Sequence, residues 1–157
     1  MTTIRVRVAK DPSDREACFG VRQEVFVVEQ RVPAEIEYDR FDEPDADTVH
    51  VVAVDARGTA LGTARLLYGP AAGERTGGDL ALGSLGRLAV LKAARGLGAG
   101  VALVRAIEDA ARERGLTAVD LHAQTHALGF YERLGYVAYG EEMMEAGIGH
   151  RSMRREL

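Results

Sequence analysis

The chain has 157 residues, 46% of them hydrophobic and 28% charged, with four more acidic than basic side chains and one cysteine. That is enough chain for one buried core, so a single domain over residues 1–157 is expected. The composition excludes an internal disulfide, the basic surface that general nucleic-acid binding requires, and any apolar run near the ~18 residues of a membrane span. The opening MTTIRVRVAKD lacks the apolar stretch of a secretory signal, so the expected location is cytoplasmic, with neither nucleic acid nor membrane as partner.

In chain order, Ile4 to Ala9 alternates apolar and basic residues and predicts a strand. The segment SDRE (Ser13 to Glu16) after Pro12 has capping-box spacing, and Ala17, Val21, Val25 and Val28 then recur at helical spacing. Cys18 falls on that helix and reads as a small core residue. Ala34 to Asp47, with seven carboxylates against one arginine, reads as loop. Thr48 to Asp55 and Ala60 to Tyr68 form a hairpin around Gly58. The glycine-rich segment Gly69 to Gly83 reads as a mobile loop, and Leu85 to Leu91 as a buried strand.

Gly98 to Arg114 predicts a helix with Val101, Val104, Ile107 and Ala111 on its apolar stripe and Arg105, Glu108, Asp109, Arg112 and Glu113 opposite, stopped by Gly115. Thr117 to Ala123 alternates as a strand, THALGFYERLGY follows as a short helix ending at Gly135, and Val137 to Leu157 holds two strands around Gly147 and Gly149. The order β-α-β-β-β-α-β-α-β-β predicts an α/β fold, a central mixed sheet flanked by helices with parallel pairs in its middle.

ARGLGAG (Ala94 to Gly100) joins the fourth strand to the long helix, the geometry in which backbone amides and the helix dipole face an anion. A Walker loop would end in Gly-Lys-Ser/Thr, but Gly100 is followed by Val101. A dinucleotide fingerprint would need a third glycine at Val101 or Leu103. What the stretch satisfies is R-x-x-G-x-G, at Arg95, Gly98 and Gly100. Together with GRLAV (Gly86 to Val90) and FYERLGY (Phe130 to Tyr136), in this order, it resembles the GNAT superfamily of N-acetyltransferases. VFVVEQRVPAEIEYDRFDE, His50, GTARL and GIGHRSM narrow the likeness to the ElaA-like branch.

The resemblance implies a GNAT-like fold and direct transfer of an acetyl group from acetyl-CoA, as co-substrate, to an amine, with no metal. It assigns the diphosphate to Arg95, Gly96, Leu97, Gly98, Ala99 and Gly100, and the pantetheine arm and thioester carbonyl to the backbone of Leu88, Ala89 and Val90. Tyr131 takes the place of the acid that protonates the departing thiolate. Many members carry asparagine seven residues earlier; here Gln124 keeps the amide on a longer arm. Glu37, Asp39 and Asp42 match the E-x-D-x-x-D spacing of the branch and are assigned to shaping the acceptor site, where they would attract a cation. Arg87 would recognise a substrate carboxylate or pair with the acidic stretch. The acceptor is a small molecule, peptide or protein amine, and the open edges of a mixed sheet leave room for a homodimer.

A base for the acceptor is not selected by spacing: Glu24, Glu29, Glu37, Asp39, Asp42 and the four histidines all qualify on chemistry. His122 and His126 lie four apart, but Ala123 replaces the glutamate of a zinc helix and the segment crosses a strand–helix junction. From a different class, the same donor cleft could serve a catalytically silent acyl-CoA sensor or regulatory module, which amine-dependent release of CoA thiol distinguishes.

Overall fold

The computed structural model describes residues 3–157; Met1 and Thr2, at the head of the stretch read for a leader, lie outside it. Strand β1 (Arg5–Val8) leads into helix α1 (Pro12–Arg22), whose cap is Asp11 rather than the predicted Ser13. The Asp11 carboxylate accepts from the Asp14 amide at 2.8 Å, and Pro12 occupies the first helical position, where no amide hydrogen is missed. The helix then widens into a π-helical turn over Gln23–Glu29, which carries Phe26, Glu29 and Gln30 to the wall of a cleft.

The acidic stretch is not a solvated loop. It contains helix α2 (Ala34–Glu37) and a 3₁₀ turn over Arg40–Asp42, and both Glu37 and Asp42 are buried. Likewise Gly69 to Gly83 is ordered as a 3₁₀ turn (Gly69–Ala72), helix α3 (Gly73–Thr76) and the start of strand β4 (Leu82–Val90). The hairpin appears as β2 (Thr48–Val54) and β3 (Ala60–Leu67). Helix α4 (Ala99–Glu113), strand β5 (Ala118–Gln124), helix α5 (Leu128–Arg133), and strands β6 (Val137–Glu145) and β7 (Ile148–Glu156) complete the order.

The seven strands form one sheet ordered β1-β2-β3-β4-β5-β7-β6, and β4–β5 is its parallel pair; the rest are antiparallel. Parallel pairing is thus confined to one place, because β7 returns between β5 and β6. The unbroken apolar run of β2 is explained by burial on both faces. Val49, Val51 and Ala53 join the main core with α4, while Val52 and Val54 pack with Cys18 on the α1 side.

Helix α4 departs from its predicted stripe at two positions. Val101 is 41% exposed, while Glu108, assigned to the polar face, is fully buried. Its carboxylate accepts from the Tyr136 hydroxyl (2.9 Å), Arg105 (2.8 Å) and Arg155 (2.7 Å), so a buried charge is fully paired.

Candidate active site

The site is made by two irregularities in β4. Thr63 pairs with Ala89 and Arg65 with Gly86, so Arg87 and Leu88 together oppose Ala64, and Arg87 takes a left-handed φ of 53°. This is a β-bulge, which bends its strand and re-aims side chains. On the other side, the parallel register between β4 and β5 ends at Leu85 and Leu121. Beyond that point Gly86–Val90 and His122–Gln124 part, and between them opens a cleft of about 1230 Å³.

Leu88, Ala89 and Val90 line this cleft, as do Arg95, Gly96, Gly98, Ala99 and Gly100; Leu97 does not, and its side chain is 47% exposed. Gly98, at φ 90°, caps α4 without any side-chain hydrogen bond, a conformation costly to other residues. The first i→i−4 bond of the helix runs from the Ala102 amide to Gly98, leaving the amides of Ala99, Gly100 and Val101 outside the helical ladder. A side chain at Gly100 would meet the Phe130 ring at 3.2 Å, so the loop and α5 pack closely.

Arg95 is already engaged. It makes two hydrogen bonds to Glu29, at 2.7 and 2.6 Å, and a third to the Val90 carbonyl at 3.1 Å. The hydrogen bond from Arg95 pulls the Glu29 carboxyl below its ordinary pKa. Gln124 is held from two sides: its amide donates to Gln30 Oε1 at 2.9 Å, and its carbonyl accepts from His126 Nε2 at 2.6 Å. His126 and His122 therefore serve different partners, since His122 pairs with Glu145. Tyr131 lines the cleft at 7% exposure, and burial pushes its hydroxyl well above the ordinary phenol value.

The acidic triplet lies in a paired cluster. Arg22 binds Glu37 (2.6 Å) and Asp42 (2.7 and 2.8 Å); Arg65 binds Asp39 (2.8 and 2.9 Å) and Asp42 (3.0 Å). Arg87 donates to the Glu37 carbonyl and reaches Asp39 at 3.3 Å. Of its two sequence readings, pairing with the acidic stretch is the arrangement present. Burial, then repulsion from Arg65 and Arg22, lowers the Arg87 pKa to about 10. Three guanidiniums balance three carboxylates, so the triplet offers no excess negative charge. Of its members only Glu37 lines the cleft, together with Arg87.

Sequence reasoning counted His150 among the possible bases but passed over Glu145, and both line the cleft. Alternation along β5 was the available signal for their neighbourhood, because it sets His122 and Gln124 on one face.

A sheet whose parallel strands part beside an uncapped, glycine-led helix is the architecture of an acyl-CoA-dependent N-acetyltransferase. Residues 8–157 match the family model described as "Acetyltransferase (GNAT) domain", and the chain belongs to that family. It is 36% identical over 151 residues to the uncharacterized N-acetyltransferase YjcF of Bacillus subtilis, covering 95% of this chain and 97% of that one. The crystal structure of Escherichia coli ElaA superimposes with a TM-score of 0.80 at 27% identity, over 99% of this chain and 100% of that one. An acyl-CoA N-acyltransferase from Pseudomonas aeruginosa does so at 0.77 and 35% identity, over 99% of both chains. The fold and the ElaA-like resemblance read from the sequence agree with these findings. No helix among the described residues is long and apolar enough to cross a membrane.

Proposed function

We propose that residues 1–157 act as one domain that transfers the acetyl group of acetyl-CoA directly to a primary amine of a small molecule, peptide or protein. The observation that carries this reading is the parting of β4 from β5 directly beside the uncapped N-terminus of α4. Acetyl-CoA supplies the acyl group as an activated thioester. The residues present fit it: the Ala99, Gly100 and Val101 amides are donors for a diphosphate, and Gly96 and Gly98 let the backbone approach. Arg95 contributes charge at the same end, in exchange with or alongside Glu29. The edge of Leu88, Ala89 and Val90 that β5 leaves, with the Val90 carbonyl already held by Arg95, takes the extended arm as an added strand would be held and polarises the thioester carbonyl. Gln124, steadied by Gln30 and His126, presents its amide to the same arm.

Tyr131 carries a phenol proton at neutral pH, which burial holds more firmly, and gives it to the thiolate as the carbon–sulfur bond breaks. Glu37 and Arg87 border the acceptor, with Asp39 and Asp42 supporting Arg87 through the ion cluster.

The test is a calorimetric titration with acetyl-CoA, using ATP and NAD as controls. Selective binding near the micromolar range, about −7 to −8 kcal/mol, is expected. Folded protein that does not bind acetyl-CoA overturns the proposal.

A further inference from the structure

We infer that His122 is the general base for the acceptor amine, oriented by Glu145. The inference rests on the acetyl-transfer reading above and adds the residue that takes the proton.

The geometry is local and specific. His122 follows Leu121, the last β5 residue paired with β4, so it stands where the strands begin to part. Its Nδ1 lies 2.5 Å from Glu145 Oε1, and both residues line the cleft. Glu145 closes β6 opposite Ile148, and the two residues between, Ala146 (φ 51°) and Gly147 (φ 76°), make the tight turn whose backbone matches a twisted hairpin. Alanine in that left-handed conformation is strained, so the carboxylate is fixed at the rim by a turn that costs energy to hold. His150 donates from Nδ1 to the Ile148 carbonyl at 2.7 Å and turns Nε2 toward Glu145 Oε2 at 3.9 Å.

Chemistry follows from this order. The hydrogen bond with His122 holds the Glu145 carboxyl below its ordinary pKa, so it is an anion that accepts Nδ1–H. The Nε2 lone pair of His122 is left for the acceptor. A carboxylate behind an imidazole fixes tautomer and ring orientation, as in other proton-transfer sites.

The other candidates along the cleft are engaged elsewhere. Glu29 is tied to Arg95, Glu37 to Arg22, His126 to Gln124 and His150, through Nδ1, to the Ile148 carbonyl, while Glu24, Asp39, Asp42 and His50 lie outside the lining. The charged groups around the pair are Glu145 from β6, His150 from β7 and Arg75 from α3, with Glu37 and Arg87 on the same lining.

In the step itself, the nitrogen–carbon bond forms as the carbon–sulfur bond breaks. One proton leaves the acceptor nitrogen for His122 Nε2, and Tyr131 gives one to the thiolate. Solvent returns the His122 proton to Tyr131, so the enzyme ends unchanged.

The experiment compares wild type with His122→Gln and Glu145→Gln, following CoA-thiol release with putrescine, spermidine, tyramine and glycylglycine. For His122→Gln we expect kcat/KM to fall about 10²- to 10³-fold, with unchanged acetyl-CoA affinity and loss of the acid limb of the pH profile. Glu145→Gln should lose less, and chiefly in kcat. A His122→Gln enzyme that keeps wild-type turnover and the acid limb overturns the inference while leaving the acetyl-transfer reading intact. Failure of wild type to bind acetyl-CoA overturns that reading instead.

A second measurement needs no acceptor. Long-range proton–nitrogen spectra at alkaline pH should show the His122 proton on Nδ1, and a ring protonated on Nε2 overturns the inference whichever amine is used.

Discussion

Arg22 and Asp42 meet head-on, Nη1 to Oδ1 at 2.7 Å and Nη2 to Oδ2 at 2.8 Å, with both side chains wholly shielded from water. Burial alone would raise the Asp42 carboxyl. The hydrogen bonds and charge of Arg22, the charge of Arg65 and the Asp39 amide outweigh it and hold the group far below the usual carboxylate range. Removing one partner strands the other. Asp42→Ala should cost about 3–5 kcal/mol, because Arg22 keeps only Glu37 and Arg65 keeps only Asp39. The check is thermal unfolding at pH 7, where a drop in Tm on the order of 10 °C is expected. A double change of both to well-packed apolar residues should recover part of the loss.

His50 sits beside this pair and gives the fold a second acid sensitivity. Its ring is buried edge-on to Phe19, both nitrogens lack partners, and Nε2 is 3.7 Å from Asp42. Burial, aided by Arg15, Arg22 and Arg65 and partly offset by Asp42, lowers its pKa to about 4. The unfolded chain, with histidine near ~6.5, therefore binds more protons than the native state between these values. Stability should be full above about pH 6.5 and decline as pH falls toward 4. The Asp42 contribution, also from a depressed group, is lost only below about pH 4. His50→Phe should keep the pH 7 Tm within a few degrees and flatten the upper window, leaving the lower decline. Tm measured from pH 7 to 3 reads both.

How far the sequence carried depended on whether a residue's partner was close in the chain. The glycine turn and the helix it opens were legible because one strand, one loop and one helix fix them locally. Alternation marked β1 and β5, an apolar run marked β4, the turn at Gly58 marked the β2–β3 hairpin, and the two-strand ending followed from Gly147 and Gly149. Burial of Asp42 and Glu108 was illegible. Both are charged, and what buries them are arginines 20 and 47 positions away, Arg22 and Arg155. Gly69 to Gly83 misled for a related reason, since small residues suit tight helical turns packed on a sheet as well as open loops. The His122–Glu145 contact joins strands 23 positions apart and follows only once β7 is known to lie beside β5.

Arg95 offers a test of the donor end. Its guanidinium and Glu29 form a forked pair at the surface, each about two-fifths exposed. The pair itself contributes little to stability at that exposure, so Arg95→Ala should leave Tm nearly unchanged. If Arg95 also contacts the diphosphate, the same variant should weaken acetyl-CoA binding by about tenfold, with a shallower dependence on salt. Calorimetry at low and moderate ionic strength measures both. Glu29→Gln, which frees the guanidinium, should tighten binding; equal affinity in all three proteins would remove Arg95 from the donor site.

Gly98 separates backbone geometry from charge. At φ 90° it has open space around its Cβ direction, so a larger side chain meets no clash and only conformational cost. Gly98→Val should cost roughly 1–2 kcal/mol in stability. Its effect on acetyl-CoA should be much larger, because a shifted turn moves the three free amides of α4 together. Binding lost with folding retained is the expected result, read by calorimetry alongside circular dichroism.

Tyr131 tests the chemistry most directly. Its ring stacks edge-on with Phe130 and Tyr136, centroids 5.0 and 5.9 Å apart, so phenylalanine reproduces the packing and deletes only the hydroxyl. Stability and acetyl-CoA affinity should therefore hold. If the hydroxyl protonates the thiolate, kcat should fall about 10²- to 10³-fold with KM for the amine nearly constant, because the lost interaction exists only as the carbon–sulfur bond breaks. The raised hydroxyl pKa sets the sign of the pH effect: the acid form persists at and above neutral pH, so an alkaline limb due to this group lies beyond the ordinary phenol range. Steady-state kinetics with acetyl-CoA, and with a donor bearing a better thiol leaving group, decides the role. The deficit should shrink with the better leaving group, which needs less protonation. An equal deficit with both donors would mean that the hydroxyl positions the thioester, and equal turnover in the variant would exclude Tyr131 from the reaction.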